Sequence, residues 1–167
     1  MAGVMRNEGT PMALRTFPQY ANNLTEDSFI KLALAAFEME LRGADPKNIT
    51  DYYLENVFSI NPQSLWKAFN DIYGDILMTC PTYQFAKQFS QNTPKSNVFF
   101  YELTYQSSKP FLHECDGNTM SVCHASDVTS VFGLPLTEPQ NSRLQIERDF
   151  SRQILKFWIT FAKTGYK

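Results

Sequence analysis

The sequence has no apolar run approaching the roughly 18 to 20 residues needed to cross a bilayer. Its start, MAGVMRNEGT, also lacks the apolar core of a signal peptide. Charge of one sign is scarce: 15 Lys and Arg against 17 Asp and Glu give a net charge of −2 at pH 7. That balance excludes a broad basic face, so nucleic acid is not an expected partner. There are two histidines and three cysteines, an odd number that leaves one thiol asking for a partner elsewhere. What is present is ordinary globular material. The 167 residues suit one domain, 43% are hydrophobic and 19% charged, and 14 Phe, 8 Tyr and 2 Trp supply ample surface to bury.

Two sequons, Asn23-Leu24-Thr25 and Asn48-Ile49-Thr50, would be glycan acceptors outside the cell. Cys115 and Cys123 bracket a short polar loop containing Gly117 and Asn118. A disulfide closing it would stabilise by roughly 2.5 kcal/mol on the chain-entropy model. Cys80 is then left over. An extracellular context without a signal peptide is resolved if the chain is part of a larger protein.

The elements alternate, with no internal repeat. Residues 2–6 read as a short strand entering the turn Asn7-Glu8-Gly9. Thr25 caps a helix whose apolar positions are Phe29, Leu32, Ala33, Ala36, Phe37 and Leu41, with Gly43 as its C-terminal cap. Asn61-Pro62 opens another, with Leu65, Trp66, Phe69, Ile72 and Tyr73 on one side. A third helical stretch follows Gly74-Asp75 and ends before Asn92-Thr93-Pro94. VFFYELTY, Val98 to Tyr105, reads as a strand buried on both faces. The final helix shows capping-box spacing at Ser142 and Gln145. Its stripe is Ile146, Phe150, Ile154, Phe157, Trp158 and Phe161, and Gly165 ends it. Strands separated by helices predict an α/β layer fold with parallel pairing. Two strands make no protected sheet, so the remaining strands are expected elsewhere.

His113, Cys115, Cys123 and His124 have zinc-binding side chains, but zinc sites space paired ligands two to four residues apart. His113-x-Cys115 and Cys123-His124 both miss that spacing, so a local disulfide beside a separate histidine is the better account, and no metal or cofactor is expected. A catalytic role for His124 needs an acid to orient it and a nucleophile to deprotonate. Glu8 suits the acid, because turns after the carboxyl ends of parallel strands are where α/β folds place functional groups. The structural alternative is that Glu8 is a turn residue and His124 a hydrogen-bonded loop histidine; spacing alone favours that alternative.

GVMRNEGT, Gly3 to Thr10, resembles the segment of type-B carboxylesterases and cholinesterases that carries the triad glutamate. SVCHASDVTSVFGLPL, Ser121 to Leu136, is similar to that family's catalytic-histidine segment. YGDILMTCPTYQFA, VFFYELTY and FWITFAKTG follow in family order, so the resemblance spans nearly the whole chain. It implies the C-terminal part of an α/β-hydrolase fold, with mostly parallel strands and large helical insertions, incomplete on its own. The expected domain is residues 1–167 as the C-terminal portion of a carboxylesterase type-B domain. The implied activity is hydrolysis of small carboxylic esters through an acyl-enzyme, with Glu8 holding the imidazole and His124 as general base. Asp127 would be a nearby supporting acid or a loop-packing residue. Cys80 matches a family cysteine whose partner would lie beyond Lys167, and the parent protein would be secreted or anchored outside the cell.

The departures also inform the reading. None of the seven glycines forms the G-x-S-x-G elbow that carries the family's nucleophile, so the serine and oxyanion loop are expected upstream of residue 1. By itself this chain should not hydrolyse esters appreciably. Cholinesterases usually place gorge-lining aromatics after the Glu-Gly, where they hold the choline cation by cation–π attraction. Here those positions are Pro11 and Met12, which points to a general carboxylesterase. Ser121 stands where relatives often have glycine. The competing reading is a non-catalytic cholinesterase-like protein for adhesion or binding, whose relatives typically lose triad residues.

Overall fold

The structure, a computed structural model, describes residues 1–40, 45–55, 57–112, 115, 122–139 and 142–166. The chain divides into two compact units. A sheet unit comprises Met1–Arg6 and Thr82–Lys167, and a helical unit comprises Asn7–Pro81.

The helical unit is built on α4, Pro62–Gly74. Its start is fixed as the Asn61-Pro62 signal predicts. The Asn61 side chain accepts from Ser64 N at 3.0 Å, and Ser64 Oγ accepts from Asn61 N at 3.1 Å. The 3.6-residue period then buries Leu65, Trp66, Phe69, Ile72 and Tyr73. Against it pack α1, Thr10–Thr16, α2, Glu26–Glu40, and α3, Pro46–Leu54. Thr25 and Ser28 cap α2 reciprocally, and Phe29, Leu32, Ala33, Ala36 and Phe37 form its buried face. Leu41 and Gly43 lie outside the described residues. Phe17 sits edge-on to both Phe69 and Tyr73, at 5.5 and 5.6 Å. α1 and α3 carry start signals of their own. Pro11 stands in the first turn of α1, and Asp45-Pro46 opens α3 with Asp45 accepting from Lys47 N at 3.0 Å.

The helix boundary expected at Gly74-Asp75 is corrected. Gly74 is itself helical, with φ −64° and ψ −42°. A π-helical turn, Asp75–Thr79, follows it and leads into α5, Cys80–Asn92. Gly74 serves close packing rather than termination, as described below.

In the sheet unit, β1, Ala2–Met5, pairs in parallel with β2, Phe100–Leu103, with Gly3 opposite Tyr101. Parallel pairing agrees with the sequence, and so do the α/β elements, but the expected burial of β2 on both faces does not. Its residues alternate exposed and half-buried, because β1 is its only strand neighbour among the described residues. The sheet unit continues with α6, Ser126–Val131, α7, Leu134–Thr137, and α8, Gln145–Thr164. α8 packs on α6 and α7 and ends at Gly165 in the left-handed region, φ +72°. The aromatic stripe of α8 is half-buried and Ile146 is exposed. Phe150, Ile154, Phe157 and Trp158 of α8, with Tyr101 and Leu103 of β2, help line an open apolar groove of about 350 Å³. The cap also differs from expectation. Leu144 is the N-cap, and Glu147 reaches back to accept from its N–H at 3.1 Å, while Ser142 Oγ bonds to Glu138 and Pro139.

Candidate active site

Glu8 lies in the turn between β1 and α1 and is 4% exposed, flanked by buried Asn7 and Thr10. A carboxylate this buried requires fixed surroundings, and the turn is fixed by backbone contact with α4. A Cβ added to Gly9 would lie 2.0 Å from Asn70 O and 2.7 Å from Gly74 N. One added to Gly74 would lie 2.6 Å from Gly9 N. Two glycines thus let the main chains of the Glu8 turn and α4 touch directly. Ala13 N then donates to Gly9 O at 2.8 Å to start α1.

His124 belongs to the sheet unit and is half-exposed, in the turn before α6. Val122 and Cys123, just before it, are fully buried. Cys123 forms the expected disulfide with Cys115, with Cα atoms 5.8 Å apart, an ordinary separation for this bond. Both thiols are therefore committed to sulfur. His113, Gly117, Asn118 and Ser121 lie outside the described residues. Ala125 follows with φ +69° and ψ 11°, a left-handed conformation costing a non-glycine residue about 1 kcal/mol. Such strain concentrates at functional sites. Ser126 N closes the turn onto Cys123 O at 2.9 Å. Asp127, in the first turn of α6, accepts a hydrogen bond from Tyr101 Oη at 2.9 Å. The structure therefore gathers His124, Asp127 and the disulfide in the sheet unit, and holds Glu8 in the helical unit.

A second buried carboxylate in the sheet unit holds the segment that follows β2. Glu147 on α8 is 2% exposed yet accepts four hydrogen bonds. They come from Ser107 Oγ at 2.8 Å, Ser108 N at 2.6 Å, Ser108 Oγ at 2.8 Å and Leu144 N at 3.1 Å. Arg143 extends the clamp, donating to Ser107 Oγ and Lys109 O while holding Glu138 in a fork. Burial pushes the Glu147 carboxyl up, but the four donors together outweigh it and leave it below the ordinary 4.5. Its folded-state value lies below its unfolded one, so its stabilisation is complete above that ordinary value and is lost as pH falls through the folded value. Glu147→Gln should cost about 2 kcal/mol at pH 7, since one amide cannot accept all four bonds. The cost should shrink below about pH 4. Glu138, held at about 2 mainly by its bonds to Arg143, stays ionised over that window. Urea midpoints of both proteins at pH 7 and 3.5 check this; a pH-independent difference would refute it.

Of the other sequence-predicted residues, Asn23 and Asn48 are exposed, Pro11 is buried in α1, and Met12 is half-buried. Cys80 carries an exposed free thiol. Among the described residues, no group of three His, Cys, Asp or Glu side chains could hold a metal, and no helix is long and apolar enough to cross a membrane. Tyr101 and Glu147 were missed because their partners lie 26 and 39 to 40 residues away. No local pattern marks such contacts.

The chain matches the carboxylesterase family over residues 1–167. It is 31% identical to the cholinesterase of Mus musculus over 171 residues, covering 99% of this chain and 27% of that protein. It is 34% identical to the acetylcholinesterase of Gallus gallus over 114 residues, covering 68% of this chain and 14% of that protein. It is 27% identical to the acetylcholinesterase of Bungarus fasciatus, covering 99% of this chain and 27% of that protein. The chain therefore belongs to the carboxylesterase family, whose fold is that of the α/β-hydrolases. It spans about a quarter of the length of the mouse relative.

Proposed function

We propose that residues 1–167 are the C-terminal portion of a carboxylesterase type-B domain whose complete form hydrolyses carboxylic esters through an acyl-enzyme. Glu8 holds the imidazole of His124 and stabilises its positive charge. His124 takes the proton of a serine hydroxyl as that oxygen attacks the ester carbonyl, and returns it to the departing alcohol. In the second half-reaction it deprotonates water, which releases the acid. The serine belongs to a G-x-S-x-G elbow in an upstream segment, because this chain contains no such elbow.

The observation that carries this reading is the family match over residues 1–167, which includes both Glu8 and His124. The burial of Glu8 and the anchored turn at His124 support it. The half-exposed faces of β2 and α8 suit a sheet continued by further strands. Joining this chain to its upstream portion should give hydrolysis of a chromogenic phenyl ester. A joined protein that folds cooperatively but leaves the ester intact would favour the non-catalytic adhesion or binding role.

Pro11 and Met12, in place of gorge aromatics, support a preference for neutral esters. The complete protein should turn over a choline ester no faster than its uncharged tert-butyl analogue, and a preference of more than about tenfold for the cation would overturn this. We place the parent protein outside the cell, with glycans on the exposed Asn23 and Asn48 and with Cys80 paired to a cysteine beyond Lys167. Glycosidase treatment and non-reducing peptide mapping of the secreted protein test these assignments.

A further inference from the structure

We infer that Tyr101 is a positioning residue for His124, acting through Asp127; the inference rests on the general-base role proposed above. Tyr101 stands on β2 opposite Gly3 of β1. Its ring lies across that glycine, so closely that a Cβ on Gly3 would fall 2.2 Å from the ring carbons. Trp158 of α8 meets the ring edge-on, with centroids 5.0 Å apart. The ring therefore has one place to lie, between the strand backbone and the helix. From there its hydroxyl reaches Asp127 Oδ2 at 2.9 Å. A phenol donating to a carboxylate makes a charge-assisted bond, stronger than one between neutral groups.

The consequence follows from where Asp127 stands. His124 is bracketed within five residues by two anchors. On its N-terminal side Cys123 is tied by the disulfide to Cys115. On its C-terminal side Asp127 is tied to the sheet by Tyr101. Between them Ala125 holds a left-handed conformation that an unanchored chain would relax. Tyr101 therefore couples the sheet to the turn that aims the imidazole.

Tyr101→Phe keeps the ring over Gly3 and against Trp158 and removes only the bond. In the full-length protein, with a chromogenic phenyl ester, kcat should fall about 10- to 100-fold while KM changes less than about threefold, as expected of a base displaced by about 1 Å. The melting temperature should fall by no more than about 5 °C. Asp127→Ala should lower kcat similarly, and adding it to Tyr101→Phe should cost less than about a further twofold, because both break one coupling. Tyr105→Phe, a hydroxyl deleted two residues along, should leave kcat as it was. Wild-type kcat in Tyr101→Phe, beside an inactive His124→Ala, would overturn the positioning role alone. Full activity in His124→Ala would instead overturn the base assignment. A readout independent of turnover is the imidazole spectrum of the full-length protein with labelled histidine, in which the His124 signal is the one lost in His124→Ala. Tyr101→Phe should shift and broaden the His124 signal, and an unmoved signal would also refute the coupling.

Discussion

His124→Ala in the full-length protein is expected to lower kcat by about 10⁴-fold or more, with little change in KM. A loss of that size is more than about 5 kcal/mol of transition-state stabilisation, at about 1.4 kcal/mol for each tenfold. Only removal of the proton acceptor predicts so much. His124 is half-exposed, so its truncation opens no core cavity and the melting temperature should hold. Glu8→Gln should have a related but distinct signature. The amide keeps the volume and fills the same buried turn, but it carries no charge to stabilise the imidazolium. A fall in kcat of about 10²- to 10⁴-fold is expected, smaller than for His124→Ala. On the proposed mechanism the two losses should not add, because both residues would serve one proton transfer. Unchanged turnover in either variant would remove that residue from the mechanism. A melting temperature that falls with activity would show that the variant had lost its fold instead.

Gly9→Ala is expected to destabilise the helical unit by about 3 kcal/mol or more, the upper end of what overpacking costs. The new methyl group would fall 2.0 Å from Asn70 O, a backbone atom that no rotamer change can move away. Gly74→Ala sets two effects against each other. Alanine gains about 1 kcal/mol over glycine within a helix, which by itself predicts stabilisation. Its Cβ would, however, lie 2.6 Å from Gly9 N and 3.1 Å from Gly9 Cα. Parting the two main chains also loosens the buried layer of Phe69, Ile72 and Tyr73. The clash should win, leaving a net loss of about 1 to 2 kcal/mol. Gly165→Ala is the control, since nothing lies within 4 Å of its Cβ. It should cost only about 1 kcal/mol, for the left-handed conformation. Equal midpoints for Gly9→Ala and wild type in urea unfolding would refute the direct backbone contact. Because Glu8 adjoins Gly9, activity should fall further than stability does.

Helices were legible wherever capping and period agreed. Thr25, Asn61-Pro62 and Gly165 mark ends by local hydrogen bonding, and the apolar spacing of α2 and α4 names the buried faces. α1 and α3 also carry start signals, at Pro11 and at Asp45-Pro46, but they span only seven and nine residues, too few for several apolar repeats. The apolar run of β2 and the apolar period of α8 both overstate burial. Such patterning reports which side of an element is apolar, whereas burial depends on what packs there, and the groove between β2 and α8 stays open.

The sequence by itself determined the two strand segments, the helix starts at Thr25 and Asn61-Pro62, the cysteine pair in the histidine loop and the family's ordered motifs. Each of these is written within a turn or a short run of residues, where spacing dictates geometry. Tertiary structure alone decided that Gly74 is a contact rather than a stop, that Glu147 is buried among four donors, and that Tyr101 holds Asp127. Those outcomes join residues from 26 to 66 positions apart, and the close approach that makes them arises only when the chain has packed.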